Sequence, residues 1–447
     1  MDAAKNESHG LSLLVPAGAD GVRIDQDLDV TLGEQHLLLG KLCYHHNSTT
    51  ACSMFTYSRH WLERATRFNV SPDLRLVRSS QCQRARTPQK PPFFGSLADT
   101  LPGGFAKQVL ERAVGRGLLN RPANTSDGVS HVDLLCGVLD HCRLGALRLR
   151  PHNSRRWNNP ADAKLLPTMV GLDQIVSAAK AFEQKTEDQR QLMLLLYSAT
   201  ALSGSRPKCS LILEDGTLAV AKLPSVCDRF PVARAEVLAT QLAKAAGIRV
   251  VNAQLKLVHY DPVVVMPRFD RQPNGRRWHY IRATSLLQVQ GEQTIAYPEL
   301  LEAMRQHCKD FTTDARELWL RLVFKRLVNQ SKTDLSKIDF LYVGKDQWTL
   351  APAYDLTPGL PDGSADQQEG PCLAGLDDLQ RLMLAAKDFQ MNTVLALELL
   401  AHLVQILDGW TLLASTFAVG MRPHEIQQLR PVFDNAHMQQ AKSLLNG

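Results

Sequence analysis

Apolar residues recur every three or four positions in four segments of the chain. This spacing is typical of an amphipathic helix with one buried face. The segments are Phe105–Val114, Leu172–Phe182, Gln189–Ala199 and Ala233–Ala246. Helix-breaking residues bound two of them, since Pro102-Gly103-Gly104 precedes the first and Gly247 closes the last. From Tyr297 onward the chain is predicted to be mainly helical.

Short β-rich runs flank two turn-forming segments. The runs CSLIL and LAVAKLP lie on either side of Asp215-Gly216, a dipeptide that supplies the positive φ of a tight turn, so they predict a β-hairpin. A second pair of strands is predicted at Phe340–Val343 and Trp348–Leu350, turned through Gly344-Lys345-Asp346. Further strands are expected at Leu11–Val15, Met54–Tyr57 and Val263–Met266, and exposed loops at 84–92 and 357–371.

The longest apolar tract runs from Thr393 to Leu413. It is interrupted at helical spacing by four polar residues: Glu398, His402, Gln405 and Asp408. No run reaches the ~18 uninterrupted apolar residues that a membrane-spanning helix needs. The tract therefore predicts an amphipathic helix packed on a core, and we expect no membrane association.

Composition adds the size and class of the protein. The chain has 447 residues, about three times the ~150 of a typical domain, with 44% hydrophobic and 21% charged residues, so a folded protein of two or three domains is expected. A net charge of +6 over the whole chain does not indicate a dedicated nucleic-acid binder, but it is compatible with an anionic ligand in one cleft. The nine cysteines are scattered and the first residues lack a secretory signal, which favours a cytoplasmic protein with reduced thiols.

The order of elements after residue 200 carries the candidate chemistry. A loop containing Gly204 precedes the first hairpin, Lys222 lies on its second strand, and Glu236 lies on the next helix. A mainly helical part follows, with Asp355 after the second hairpin. Phosphoryl transfer uses these parts in this order, because it needs backbone N–H groups over the phosphates, a lysine held by an acid, and carboxylates for Mg²⁺.

The motifs in which these residues lie resemble those of the HipA family, serine/threonine kinases that are the toxins of bacterial toxin–antitoxin modules. The most specific segments are SGSRPKCSLILEDGTLAVAKLP, VVVMPRFDR (263–271) and WTLAPAYDLTPGL (348–360). Segments near residues 54–65, 91–104 and 134–151 are similar to the N-terminal subdomain of that family. The resemblance implies an α+β, two-lobed kinase-like fold with a small N-terminal αβ subdomain and a mainly helical C-terminal lobe.

The resemblance also implies domain boundaries and ligands. We expect an N-terminal subdomain over 1–150, a nucleotide-binding region over 151–267, and a helical lobe with the catalytic loop and metal site over 268–447. The polar segment 150–160, which ends in proline, suits the first junction. ATP and Mg²⁺ are the expected cofactors.

Residue roles follow from the matching segments. The loop residues Gly204, Ser205, Arg206 and Lys208 are expected to cover ATP, together with Pro207. Lys222 matches the phosphate-binding lysine, with Glu236 as its partner, and Asp355 matches the metal-binding aspartate. For three nearby residues a structural role is the alternative: Arg268 and Asp270 as an ion pair, and Tyr354 as a core residue.

The catalytic loop departs from the family pattern TDDHxxN, whose first Asp accepts the substrate proton and whose Asn binds Mg²⁺. One alignment keeps Asp334 as the catalytic base and puts Asp339 at the metal position, which leaves an altered but active kinase. The gapless alignment instead puts Lys332 in place of the base and Lys337 in place of the Asn. A lysine ammonium can neither accept that proton nor bind Mg²⁺, so this alignment predicts a pseudokinase.

Three functions therefore remain open. The first is a serine/threonine kinase that acts on a translation-related protein such as an aminoacyl-tRNA synthetase, which is what the resemblance implies. The second is a pseudokinase that binds nucleotide or an antitoxin subunit without phosphoryl transfer. The third, a small-molecule kinase, is disfavoured by the family-like N-terminal 150 residues. Residues 1–50 show no helix-turn-helix pattern, so direct DNA binding is not expected.

Overall fold

The structure is a computed structural model of the chain. It describes residues 24–34, 36–46, 50–85, 90–118, 129–154, 166–198, 204–272, 274–289, 293–330, 333–359, 371–376 and 378–446. The strand expected at Leu11–Val15 and most of the loop expected at 357–371 lie outside these residues.

The N-terminal part is built on a five-stranded antiparallel sheet of order β4-β3-β2-β1-β5. Its elements are β1 (Ile24–Leu32), β2 (Leu37–His46), β3 (Ala51–Tyr57), α1 (Arg59–Leu62), β4 (Gln81–Arg84), α2 (Gly95–Ala98), α3 (Gly104–Gly115), α4 (His131–Gly137) and β5 (Leu147–Pro151). Buried and half-buried residues alternate along β3, as expected for a strand with one face on a core. The strand predicted at Met54–Tyr57 and the helix predicted at Phe105–Val114 are confirmed.

The middle part is a four-stranded sheet of order β6-β7-β9-β8 with helices on both faces. Its elements are α5 (Leu172–Glu183), α6 (Gln189–Ser198), β6 (Lys208–Ile212), β7 (Leu218–Lys222), α7 (Val232–Ala245), β8 (Gln254–Val258) and β9 (Asp261–Pro267). Gly216 has a φ of 82° in the turn between β6 and β7, which confirms the hairpin and the role of Asp215-Gly216.

Alternation along β7 decides which helices each side chain meets. Ala219 and Ala221 pack in a cluster with α3, α5 and α6, whereas Val220 packs with α7 on the opposite face. Lys222 continues this alternation on the side of Val220, and so it points toward α7. The sheet therefore presents one lysine to the helix that carries Glu236.

Local signals also fix the end of α7. Gly247 adopts a φ of 84°, its N–H donates to the Lys244 carbonyl, and the Ile248 N–H donates to the Ala243 carbonyl. This is the Schellman arrangement, in which a glycine after the helix lets the chain reverse. The helix predicted to close at Gly247 is confirmed.

The C-terminal part is mainly helical, as predicted. Its elements are β10 (Tyr280–Arg282), α8 (Ala283–Leu286), β11 (Thr294–Ala296), α9 (Tyr297–His307), α10 (Phe311–Leu327), β12 (Asp339–Gly344), β13 (Gln347–Leu350), β14 (Cys372–Ala374), α11 (Leu379–Leu384), α12 (Thr393–Asp408), α13 (Trp410–Ala414), α14 (Pro423–Phe433) and α15 (Ala436–Asn446). The hairpin β12–β13 turns at Lys345 and Asp346, which have φ angles of 54° and 60°. The apolar tract near residue 400 forms α12 and α13, separated at Gly409. None of the helices in the described part of the chain is long and apolar enough to cross a membrane.

A buried ion cluster joins the N-terminal part to the segment after β9. The Asp270 carboxylate accepts hydrogen bonds from Arg268 at 2.7 Å, from Arg271 at 2.6 Å and from the Gly145 N–H at 2.6 Å. Burial opposes ionisation of Asp270, but the charges of Arg268 and Arg271 hold its pKa well below its ordinary value. The structural ion pair expected for Arg268 and Asp270 is confirmed.

We predict that Asp270→Asn lowers the free energy of unfolding by about 3–5 kcal/mol, because it leaves two guanidinium groups buried without their counter-charge. As a control, Glu63→Gln removes the exposed 2.6 Å pair between Arg59 and Glu63 and should cost less than about 1 kcal/mol. Urea denaturation of both variants measures the two losses. Equal losses would show that burial of the cluster adds nothing.

Candidate active site

The candidate site is where the four-stranded sheet meets the loop that follows β13; it is called the cleft below, and its centre is Asp355. One oxygen of the Asp355 carboxylate accepts a hydrogen bond from Nζ of Lys222 at 2.5 Å, and the other accepts one from Nζ of Lys337. Lys222 also donates to the carboxylate of Glu236 on α7. The structure thus brings together three residues predicted from sequence, Lys222, Glu236 and Asp355, and adds Lys337, which only the gapless alignment singled out.

The charges in this cluster stabilise one another. Burial would raise the pKa of Asp355, but Lys222 and Lys337 hold it well below its ordinary value. Burial would likewise lower the pKa of Lys222, but Asp355 and Glu236 outweigh burial and raise it. Asp355 and Lys222 are therefore ionised at neutral pH, and each depends on its partners.

The first residue of β6 is a further lysine, which lies beside Lys222. Lys208 and Lys222 are directly opposite each other in the β6–β7 pair, so their side chains lie on the same face of the sheet. Nζ of Lys208 donates to the carbonyls of Gly204 and Arg206, each at 2.9 Å. Burial, with the charges of Lys337 and Lys222, lowers the pKa of Lys208 to about 7. At neutral pH this edge of the cleft therefore carries the full charge of Lys222 and part of the charge of Lys208.

The other predicted loop residues have different surroundings. Arg206 forms a bidentate pair with Asp228, at 2.5 and 2.7 Å, so its guanidinium is held by the segment after β7. Ser205 is exposed. Gly204 has a φ of 114°, and a Cβ at this position would lie 3.0 Å from Nζ of Lys208. The loop therefore closes around Nζ of Lys208, through the carbonyls of Gly204 and Arg206.

The N-terminal part supports this loop directly. The Phe105 N–H donates to the Gly204 carbonyl at 3.0 Å, and a Cβ on Gly104 would lie 2.1 Å from that carbonyl oxygen. Gly104 also has a φ of 50°. The helix-breaking segment Pro102-Gly103-Gly104 is thus the point where the start of α3 contacts the loop that contains Gly204.

Asp334 and Asp339, the two acidic residues of the first alignment, have different hydrogen-bond partners from those of Asp355. The Asp334 carboxylate is buried and accepts a hydrogen bond from the Ser336 N–H at 2.8 Å, capping the 3₁₀ turn Leu335–Lys337. Asp339 accepts hydrogen bonds from the hydroxyls of Tyr280 at 3.1 Å and Tyr354 at 2.5 Å. Burial raises the pKa of Asp339 to about 7, against the opposing charge of Arg282. Lys332 of the gapless alignment lies outside the described residues.

Tyr354 confirms the core reading made from sequence, since it stacks on Phe269 with ring centroids 5.3 Å apart. Two residues that the motifs did not single out also shape the site. The Tyr280 hydroxyl donates to the Asp339 carboxylate, as the Tyr354 hydroxyl does. The charges of Asp334 and Asp355 act on Lys325, which lies on α10. Burial lowers the pKa of Lys325 to about 8.

These residues suit phosphate better than they suit Mg²⁺. Magnesium needs several oxygen ligands in near-octahedral geometry. Both oxygens of Asp355 are taken by ammonium groups, both oxygens of Asp339 by tyrosine hydroxyls, and no group of three His, Cys, Asp or Glu side chains among the described residues could hold a metal ion. As arranged, the site does not fit Mg²⁺, whereas its lysines and glycine loop fit a polyphosphate.

The chain is similar to known proteins both in sequence and in fold. Residues 200–410 match the family model described as the HipA-like C-terminal domain. The HipA of the Shewanella oneidensis MR-1 toxin–antitoxin system, solved with HipB and its operator DNA, superimposes with a TM-score of 0.64 at 14% identity, covering 94% of this chain and 99% of that chain. The match confirms the predicted α+β, two-lobed kinase-like fold.

Two further proteins are similar over shorter stretches. A Haemophilus influenzae protein named "Putative kinase" is 22% identical over 185 residues, which is 36% of this chain. The aligned part spans about half, 53%, of the length of that curated relative. The Helicobacter pylori proinflammatory kinase CtkA is 16% identical, with a TM-score of 0.38 over 54% of this chain and 90% of that chain.

We predict that Gly104→Ala destabilises the protein by about 2 kcal/mol or more, because the added methyl group strains a left-handed residue and collides with the Gly204 carbonyl. Gly117 also has a positive φ, of 68°, but has nothing within 4 Å of a Cβ, so Gly117→Ala should show the backbone strain alone, about 1 kcal/mol. Thermal unfolding of the two variants measures the difference. Equal shifts would argue against a close contact at Gly204.

Proposed function

Because residues 200–410 of this chain match the HipA-like C-terminal domain, we propose that the protein binds ATP in the cleft centred on Asp355. The observation that carries this proposal is the buried contact of Lys222 with both Glu236 and Asp355. In kinase-like folds a lysine held by an acid on the following helix neutralises nucleotide phosphates. Here the strand, the helix and the Asp355 loop supply those groups in that order.

Binding without efficient phosphoryl transfer is the function that the geometry supports best. Transfer needs a base beside the substrate hydroxyl and metal ions on the phosphates. The Asp334 carboxylate caps its own turn, and Lys337 holds the Asp355 oxygen that a metal ion would need. These contacts favour the gapless alignment, and with it a pseudokinase.

A serine/threonine kinase that acts on a translation-related protein, such as an aminoacyl-tRNA synthetase, is the second candidate. One observation favours it: the Asp334 carboxylate is buried and acts on Lys325 together with Asp355, so it lies in the same charge cluster. Release of the Ser336 N–H would free that carboxylate to serve as a general base. In this case Asp339 would have to leave its tyrosine partners to reach a metal ion.

An antitoxin subunit is the proposed protein partner. The Shewanella oneidensis HipA was solved with HipB and operator DNA, and its fold matches 94% of this chain. A kinase-like protein that binds nucleotide without turnover would act through such an assembly, with DNA contacts made by the partner.

Lys222→Ala should weaken ATP binding at least tenfold, about 1.4 kcal/mol or more, because it removes a buried ammonium from the phosphate site. Isothermal titration calorimetry of the full chain with ATP measures this change. Lys244→Ala is the matched control, since Lys244 is exposed on the same helix as Glu236 and should leave the affinity unchanged. If Lys222→Ala binds ATP as tightly as the wild type does, the ATP site is not in this cleft.

Phosphate transfer distinguishes the two candidate functions. With labelled ATP and Mg²⁺ we expect no transfer to the protein itself above background. Transfer that Asp334→Asn reduces by ~10²–10⁴ while leaving ATP affinity intact would instead establish the active kinase with Asp334 as its base. Asp346→Asn, in the exposed turn between β12 and β13, is the control carboxylate.

A further inference from the structure

Lys337 makes an unexpected contact for a residue at a metal-binding position. The gapless alignment puts it where the family has the magnesium-binding Asn, and its ammonium donates to the Asp355 carboxylate. The resemblance makes Asp355 the metal-binding aspartate. The Lys337 ammonium therefore pairs with a carboxylate oxygen to which a divalent cation would bind.

The same ammonium also approaches the glycine loop across the cleft. A Cβ on Gly204 would lie 3.0 Å from Nζ of Lys208 and 4.0 Å from Nζ of Lys337. Lys222 completes the group from the other oxygen of Asp355. Three lysine Nζ atoms thus converge between the loop and Asp355, and they come from β6, β7 and the turn Leu335–Lys337.

Charge neutralisation is what Mg²⁺ ordinarily supplies to a bound nucleoside triphosphate. Here three lysines are available for that task. Among the described contacts, the carboxylate partners of Lys222 and Lys337 are Glu236 and Asp355. A divalent cation on Asp355 would have to displace Lys337 and would then lie beside Lys222. Repulsion between like charges opposes that exchange.

We propose that Lys337 acts as a built-in cation in place of the divalent metal ion, so that the cleft binds a nucleoside triphosphate without Mg²⁺. This inference rests on the proposed nucleotide-binding function and names the form of its ligand. Free ATP is the preferred form, because chelation by Mg²⁺ reduces the negative charge that the three lysines attract. The role of Lys337 is positional and electrostatic, and no bond is made or broken.

Calorimetric titration of the full chain with ATP, once in EDTA and once in excess Mg²⁺, tests this directly. The wild type should bind ATP in EDTA at least as tightly as in Mg²⁺. Lys337→Asn should lose a factor of ten or more in EDTA and recover affinity when Mg²⁺ is added, because it frees an oxygen of Asp355 and supplies an amide oxygen. Lys337→Arg keeps the cation and should remain independent of Mg²⁺.

Lys345→Asn is the matched control, because Lys345 is exposed in the turn between β12 and β13 and should bind ATP like the wild type under both conditions. Thermal unfolding confirms that each variant is folded, and the wild-type and Lys337→Arg titrations decide the question even if Lys337→Asn does not fold. Wild-type binding that Mg²⁺ tightens threefold or more, or a Lys337→Asn variant that loses less than tenfold in EDTA, would overturn the inference and leave the nucleotide site in place. No binding of ATP under either condition would overturn the proposed function itself.

Discussion

The carboxylate of Asp355 is the contact on which the cleft depends. Lys222 reaches it from the four-stranded sheet, and Lys337 reaches it from the turn after α10. Taking these charges out of water costs several kcal/mol for each ion, and their attraction offsets that cost only while all of them are present. Ionised groups therefore join the two sides at the site, beside the apolar cluster that runs from Val220 and α7 to Ala353 and Leu356. A ligand that binds here competes with these contacts and does not fill an empty space.

Backbone geometry fixes where that carboxylate points. Asp355 has a φ of 58°, a left-handed conformation that is uncommon for residues other than glycine. The Ala353 carbonyl accepts a hydrogen bond from the Val251 N–H, and the Ala353 N–H donates to the Arg249 carbonyl. The segment before Asp355 is thus held against the chain that follows α7, which overcomes the local strain.

Sequence patterns predicted the local structure well because its causes are local. The turn at Asp215-Gly216, the glycine after α7 and the amphipathic spacing of the helices each act within a few residues. The pairing of Lys222 with Glu236 was accessible as well, since strand alternation and the family resemblance both point to it. The Lys337 contact was not, because it joins residues from two loops whose relative position only the folded chain determines. The tyrosine partners of Asp339 were hidden for the same reason.

The shared core under α3 has a practical consequence for dissecting the molecule. Phe105 and Val109 belong to the same apolar cluster as Ala219 and Val263, so a helix from the N-terminal part covers one face of the four-stranded sheet. A shortened chain that begins after α3 would expose to water the part of that face that α3 covers, beside α5 and α6. Exposed apolar patches of this kind promote self-association, so such a fragment would be prone to precipitate. Biochemical work on the cleft is therefore best done with substitutions in the whole chain, not with truncated versions of it.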